Sequence, residues 1–162
     1  MMTPANWIAI IAAILAFAGS AWANWNAYRA LRIAGKRQRA EAAEKRADLL
    51  LVHMAEFHDL TAKRIYLEAF NRELQGKRKP SVNTSKIVEN QRIMISDFER
   101  RRFLKSYVDL LLDRSDADQD KLAKIMKDLI SQDPSHDLLD TCIVTSRKVL
   151  QLERQKISEL TN

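Results

Sequence analysis

From Trp7 to Ala23 every residue is apolar or small, with Ser20 the only hydroxyl, and no charged side chain precedes Arg29. A spanning helix needs roughly 20 mainly apolar residues, and residues 5–25 supply that length. The pattern therefore predicts a single N-terminal transmembrane helix. Trp7 stands at one end of it, with Trp22, Trp25 and Tyr28 at the other. A rise of roughly 1.5 Å per residue separates Trp7 from Trp25 by about 27 Å. That matches the two headgroup levels at which amphipathic rings collect.

Residues 29–46 then carry seven Lys and Arg against two Glu. With Arg29 and Arg32 at the interface, the positive-inside rule places the C-terminal side in the cytoplasm and the N-terminus outside. The expected location is the cell (inner or plasma) membrane, crossed once. Ala21-Trp22-Ala23 also resembles a signal-peptidase site, but a basic n-region is missing and basic residues after a cleavage site oppose export. A buried core helix is the weaker alternative, because nothing else in the chain is apolar enough to surround it. Ala12, Ala16, Gly19 and Ala23 fall near one face of the span, a spacing that lets helices approach closely in lipid.

After the span the periodicity becomes helical. Residues 29–48 are Ala-rich and charged, with supporting pairs such as Arg37–Glu41, and read as a solvated stalk without an apolar face. From Leu50 a heptad runs through Leu50, Phe57, Arg64 and Asn71 at one position and His53, Leu60, Leu67 and Leu74 at the other. Leu60, Leu67 and Leu74 resemble the d-positions of a parallel coiled coil, with Asn71 as a register device. Leu49, Leu51, Val52, Ile65 and Phe70 lie outside that heptad and favour wider burial in a bundle. Zipper and bundle both remain open on this pattern.

Gly76 and the basic turn to Pro80 end this helix. In the next, Ile87, Val88, Met94, Ile95 and Phe98 lie about half a turn from Phe103, Leu104, Tyr107, Val108, Leu111 and Leu112 at 100° per residue. With Ser96-x-x-Glu99 fitting a capping box, the expectation is a break or kink near Ser96. Leu122, Ile125, Met126, Leu129 and Ile130 give a third stripe, and Leu139, Cys142, Ile143, Leu150, Ile157 and Leu160 a fourth. The predicted organisation is all-α: an anchor over 1–28, a stalk over 29–48 and a helical domain over 49–162. Helices are expected at about 49–75, 84–95, 97–113, 119–132 and 136–160.

Composition agrees. Only 3 Gly and 3 Pro occur in 162 residues, which suits long helices with few turns. One cysteine, Cys142, excludes an internal disulfide. The net charge of +6 is unevenly placed: residues 29–80 hold 13 basic and 7 acidic side chains, residues 81–162 hold 14 of each. Topology and attraction to anionic lipid headgroups, on the order of 1 kcal/mol per basic residue near the surface, account for the excess without nucleic acid.

Candidate chemistry is sparse. Asp116-x-Asp118-x-Asp120 opens like a calcium loop, but Lys121 and Lys127 occupy the positions that need Gly and Glu. His53 and His58 are five residues apart, about 140° around a helix, and cannot share a metal. Cys142 lies on an apolar stripe, and no glycine-rich phosphate loop exists. The anomaly is basic residues on apolar faces: Arg64 in the heptad core, and Arg101, Arg102 and Lys105 at the phase jump. Together they form a candidate anion site, although their stems could equally line the core while the charges reach water.

These observations point to a non-enzymatic, membrane-anchored scaffold or sensor without cofactor or metal. It is expected to self-associate and to engage a cytoplasmic protein partner. The alternative is a ligand-gated membrane effector in which an anionic messenger binds the helical domain and clustered spans disrupt the bilayer, as in antiphage or lysis systems.

Overall fold

The structure, a computed structural model, describes the backbone over residues 4–76, 80–131 and 134–161, and the side chains over 15–76, 84–131 and 134–161. It is all-α. Four helices follow in order: α1 (Pro4–Gly76), α2 (Pro80–Leu111), α3 (Ala117–Ser131) and α4 (His136–Thr161).

Each helix packs on its neighbours in sequence, and α4 closes the ring by packing on α1. Cross-helix bonds fix the directions. Asn71 pairs with Asn90, Lys63 with Asp97 and Glu56 with Arg100, so α1 and α2 run antiparallel. His58–Ser146 and Arg46–Glu153 set α1 against α4 in the same way. The C-terminal part of α1 is thus one member of an up-down-up-down four-helix bundle.

Local signals start the shorter helices. Asp116 Oδ1 accepts from the backbone N–H of Asp118 and Gln119 at 3.0 and 3.1 Å, capping α3. Asp118 and Asp120 in its first turn favour the helix dipole. Ser135 Oγ accepts from the N–H of Leu138 at 3.2 Å and opens α4.

The core joins Leu50, Met54, Phe57 and Ile65 of α1 to Leu104 and Val108 of α2 and to Leu112 just past its end. Leu122, Met126 and Leu129 of α3 and Leu139, Cys142 and Val149 of α4 complete it. On α1 the buried line is Ala40, Ala47, Leu50, Met54, Phe57, Thr61 and Ile65. Leu50 and Phe57 occupy the seam the sequence gives them, but Met54 and Thr61 take the second position in place of His53 and Leu60. Leu60 is half-buried against the core, Leu67 is half-buried, and Leu74 is buried. Asn71 accepts from Asn90 Nδ2 at 2.7 Å. Leu60 and Asn71 of the expected zipper thus have partners inside one chain.

Two further expectations change. The stalk is not free of the bundle: Ala40 and Ala47 are buried, and Ile33, Arg37 and Glu44 line a groove with Ile157 and Leu160 of α4. Small Ala side chains let α4 approach where no large apolar stripe announces a contact. The break at Ser96 does not occur, since α2 is one helix from Pro80 to Leu111. Its inward line is Ile87, Asn90, Met94, Asp97, Arg101, Leu104 and Val108, an unbroken alternation of three- and four-residue steps. Three of those positions are polar, which made a continuous stripe look like a jump in phase.

Helix α1 continues without interruption through Gly35. Above that point residues 15–34 are exposed on every side, including Leu15, Phe17, Trp22, Trp25, Tyr28 and Leu31. Among the described residues no helix is long and apolar enough to cross a membrane. Residues 5–14 of the expected span, with Trp7 and Ala12, lie outside the described side chains. The described residues by themselves do not support a span.

Candidate functional site

The polar positions on the inward line of α2 create the unusual part of the molecule. Towards the core's apolar end, α1 and α2 meet through Leu50, Met54, Phe57, Leu104 and Val108. Towards Gly76 the same seam becomes polar. Arg100 makes a bidentate pair with Glu56 at 2.6 and 2.9 Å, and Lys63 Nζ lies 2.9 Å from Asp97. Arg64 Nε donates to Glu68 at 2.6 Å, and Asn90 donates to Asn71. The Glu56 carboxyl is held below its ordinary range first by its hydrogen bond from Arg100.

Arg101 sits among these pairs without joining one. It is fully buried. Its Nη1 reaches the carbonyl oxygen of Leu129 at 3.4 Å, while Nε and Nη2 have no hydrogen-bond partner. Its guanidinium carbon is 6.0 Å from the Phe98 ring centre, within reach of a cation–π attraction. Burial lowers its pKa to about 10, with the neighbouring Arg64 charge adding to the fall and Glu68 and Asp97 opposing it. It therefore stays cationic at neutral pH. A buried charge without a matched partner carries a desolvation cost of several kcal/mol, so its presence requires a reason.

Beside it lies a cavity of about 360 Å³. Arg64 and Arg101 line it with Met94, Ile95, Phe98 and Ile130, and Gln91 adds an amide. Two guanidiniums on an otherwise apolar wall suit an anion carrying an apolar body. The candidate set thus separates. Arg64 and Arg101 come together; Arg102 is exposed, 3.9 Å from Glu99, and Lys105 pairs with Asp109 one turn along α2. Neither of the latter lines the cavity.

The other singled-out residues have structural surroundings. His53 meets Tyr107 of α2 edge-on at 4.5 Å, while His58 lies 3.3 Å from Ser146 of α4, so the two imidazoles serve different interfaces. Burial first, and Arg147 second, push His58 down to about 4. Cys142 is fully buried, and burial pushes its thiol up to about 12, which keeps it protonated. Asp116 caps α3, Asp118 lies 4.0 Å from Lys148, and Asp120 pairs with Arg114 and Lys124. Among the described residues no His, Cys, Asp and Glu cluster could hold a metal ion.

A second polar centre escaped the sequence pattern. Gln119, fully buried, donates to Glu153 at 2.9 Å and accepts from the N–H of Asp113 at 2.6 Å. Lys156 and Arg46 approach the same carboxylate at 3.0 and 4.0 Å. It joins α1, α4 and the α2–α3 turn.

No family model matches the chain, and no curated protein and no solved structure matches it either.

Proposed function

We propose that the chain is a single-pass, membrane-anchored helical module without enzymatic activity, which self-associates and engages a cytoplasmic protein partner. One observation carries the anchor. Residues 15–34 extend α1 beyond the bundle with Leu15, Phe17, Trp22, Trp25 and Leu31 more than half exposed. Those at positions 15–23 complete the apolar run that begins at Trp7 in the sequence, and an exposed run of that kind needs a cover, which lipid supplies without further protein contacts.

In this reading Trp22, Trp25 and Tyr28 lie at the inner headgroups, with Arg29 and Arg32 against anionic lipid. The bundle begins within two turns of that surface, because α4 reaches Ile33 of α1. Ala12, Ala16, Gly19 and Ala23 offer the association face; a Cβ built on Gly19 meets nothing within 4 Å in the single chain. The test is a reporter fused after Asn162 together with alkaline carbonate extraction. Membrane retention with cytoplasmic reporter activity supports the proposal, and release by carbonate or external reporter activity overturns it.

The second reading, a ligand-gated membrane effector, draws on Arg101. Its unpaired charge gives the helical domain somewhere to receive an anionic messenger, and α1 links that site directly to the anchor.

A further inference from the structure

The Arg101 cavity has the chemistry of a binding site for one class of ligand. Three observations converge on it. The guanidinium is fully buried yet two of its nitrogens lack acceptors. Neither neighbouring carboxylate bonds it: Glu68 accepts from Arg64 at 2.6 Å, while Asp97 stands in an ion pair with Lys63 at 2.9 Å and its buried Oδ2 makes no hydrogen bond. The adjoining space of about 360 Å³ is walled chiefly by Met94, Ile95, Phe98 and Ile130. From these we infer that the cavity binds an amphiphilic organic anion. A single carboxylate-type head would lie between Arg101 and Arg64, with an apolar body against Phe98 and Ile130. At roughly 30 Å³ per non-hydrogen group, the space accommodates about a dozen such groups.

The physical case rests on which groups each half of the ligand satisfies. A planar carboxylate offers two acceptors to a guanidinium fork, which is what Nε and Nη2 of Arg101 lack. A bare inorganic anion would leave the apolar wall wet, and a neutral apolar molecule would leave the guanidinium unpaired. Only a molecule with both parts matches the whole cavity. Ile95, exposed at the rim, gives a position where the mouth can be altered without disturbing the core. This deepens the ligand-gated reading and does not depend on the anchor.

The probe is 2-naphthoate, which has thirteen non-hydrogen atoms (about the size the cavity admits) and is fluorescent. It is titrated against the full chain in lipid nanodiscs, with empty discs as the blank. The expected result is saturable binding at least tenfold tighter than 2-naphthylmethanol or inorganic phosphate. Arg101→Met should weaken it at least tenfold while leaving the unfolding midpoint unchanged or higher. Ile95→Glu, which places a like charge at the mouth, should weaken it at least fivefold with the fold intact. Signal no greater than in empty discs overturns the inference, as does equal binding of the alcohol or equal binding by Arg101→Met. Displacement of naphthoate by phosphate at matching concentration overturns the amphiphile class in favour of a bare anion. A chain that elutes apart from the discs counts against the anchor alone, and the titration is then read on the eluted chain.

Discussion

Arg46 Nε donates to the carbonyl oxygen of Leu111 at 2.6 Å, joining the middle of α1 to the last residue of α2. Carbonyls in the final turn of a helix have no partner within it, so this side chain from another helix completes the end of α2. The same guanidinium lies 4.0 Å from the buried carboxylate of Glu153. Arg46→Leu should therefore cost roughly 1–3 kcal/mol, the range for leaving a buried polar group short of a partner. Glu153→Gln keeps an acceptor for Gln119 and should cost less. Thermal unfolding of the detergent-solubilised chain, followed by circular dichroism, ranks the two; an equal or reversed order contradicts this account.

His58 gives the bundle a pH dependence of known sign. Its folded pKa of about 4 lies below the ordinary value of 6.5, so the unfolded chain binds the proton more readily. Stability attached to the neutral ring is complete above about pH 6.5 and is lost as pH falls towards 4. Allowing for its partial contact with solvent, the loss is on the order of 2 kcal/mol. The unfolding midpoint should drop between pH 7 and pH 5 more steeply than in His58→Gln, where this contribution is absent. Parallel curves for the two proteins would remove His58 from the explanation.

The helical class is legible in the sequence because periodicity and scarce Gly and Pro act locally; that the first three segments join into one helix through Gly35 was left open by the pattern. The α2 line was not legible. Asn90, Asp97 and Arg101 stand at inward positions, and a hydrophobicity pattern reads polar residues there as a break. Their partners Asn71 and Lys63 lie on another helix, which periodicity does not reveal. The stalk hid its packing for the opposite reason, since Ala40 and Ala47 are too small to mark a face. Of the anion-site candidates, the sequence indicated basic residues on apolar faces. Only the bundle separates Arg64 and Arg101, which share a cavity, from Arg102 and Lys105, which do not.

Gly35 offers a stabilising change. It lies inside α1, and a Cβ there meets nothing within 4 Å. Gly35→Ala should raise stability by about 0.5–1 kcal/mol through helix propensity alone. A higher unfolding midpoint with unchanged helix content is the expected result. A lower midpoint would mean that this position needs the freedom glycine gives.

The last prediction concerns Asn71 and how the chain associates. Asn90 Nδ2 donates to Asn71 Oδ1 at 2.7 Å across α1 and α2, where both side chains are half-buried. Asn71→Leu then strips Asn90 of its acceptor and should cost about 1–2 kcal/mol. Replacing both residues by Leu removes donor and acceptor together, so the double variant should recover most of that loss. A zipper between chains predicts the reverse, because a polar residue at a seam weakens association and Leu there strengthens it. The measurements are a double-mutant cycle by thermal unfolding and the mass of the detergent-solubilised chain by light scattering. The bundle account expects strong coupling between positions 71 and 90 with no change of mass. Under the proposed membrane-anchored arrangement association runs through residues 12–23, and Gly19→Ile should then lower the mass by crowding the Ala16–Gly19–Ala23 face. A mass that rises with Asn71→Leu and ignores Gly19→Ile would return the zipper to α1.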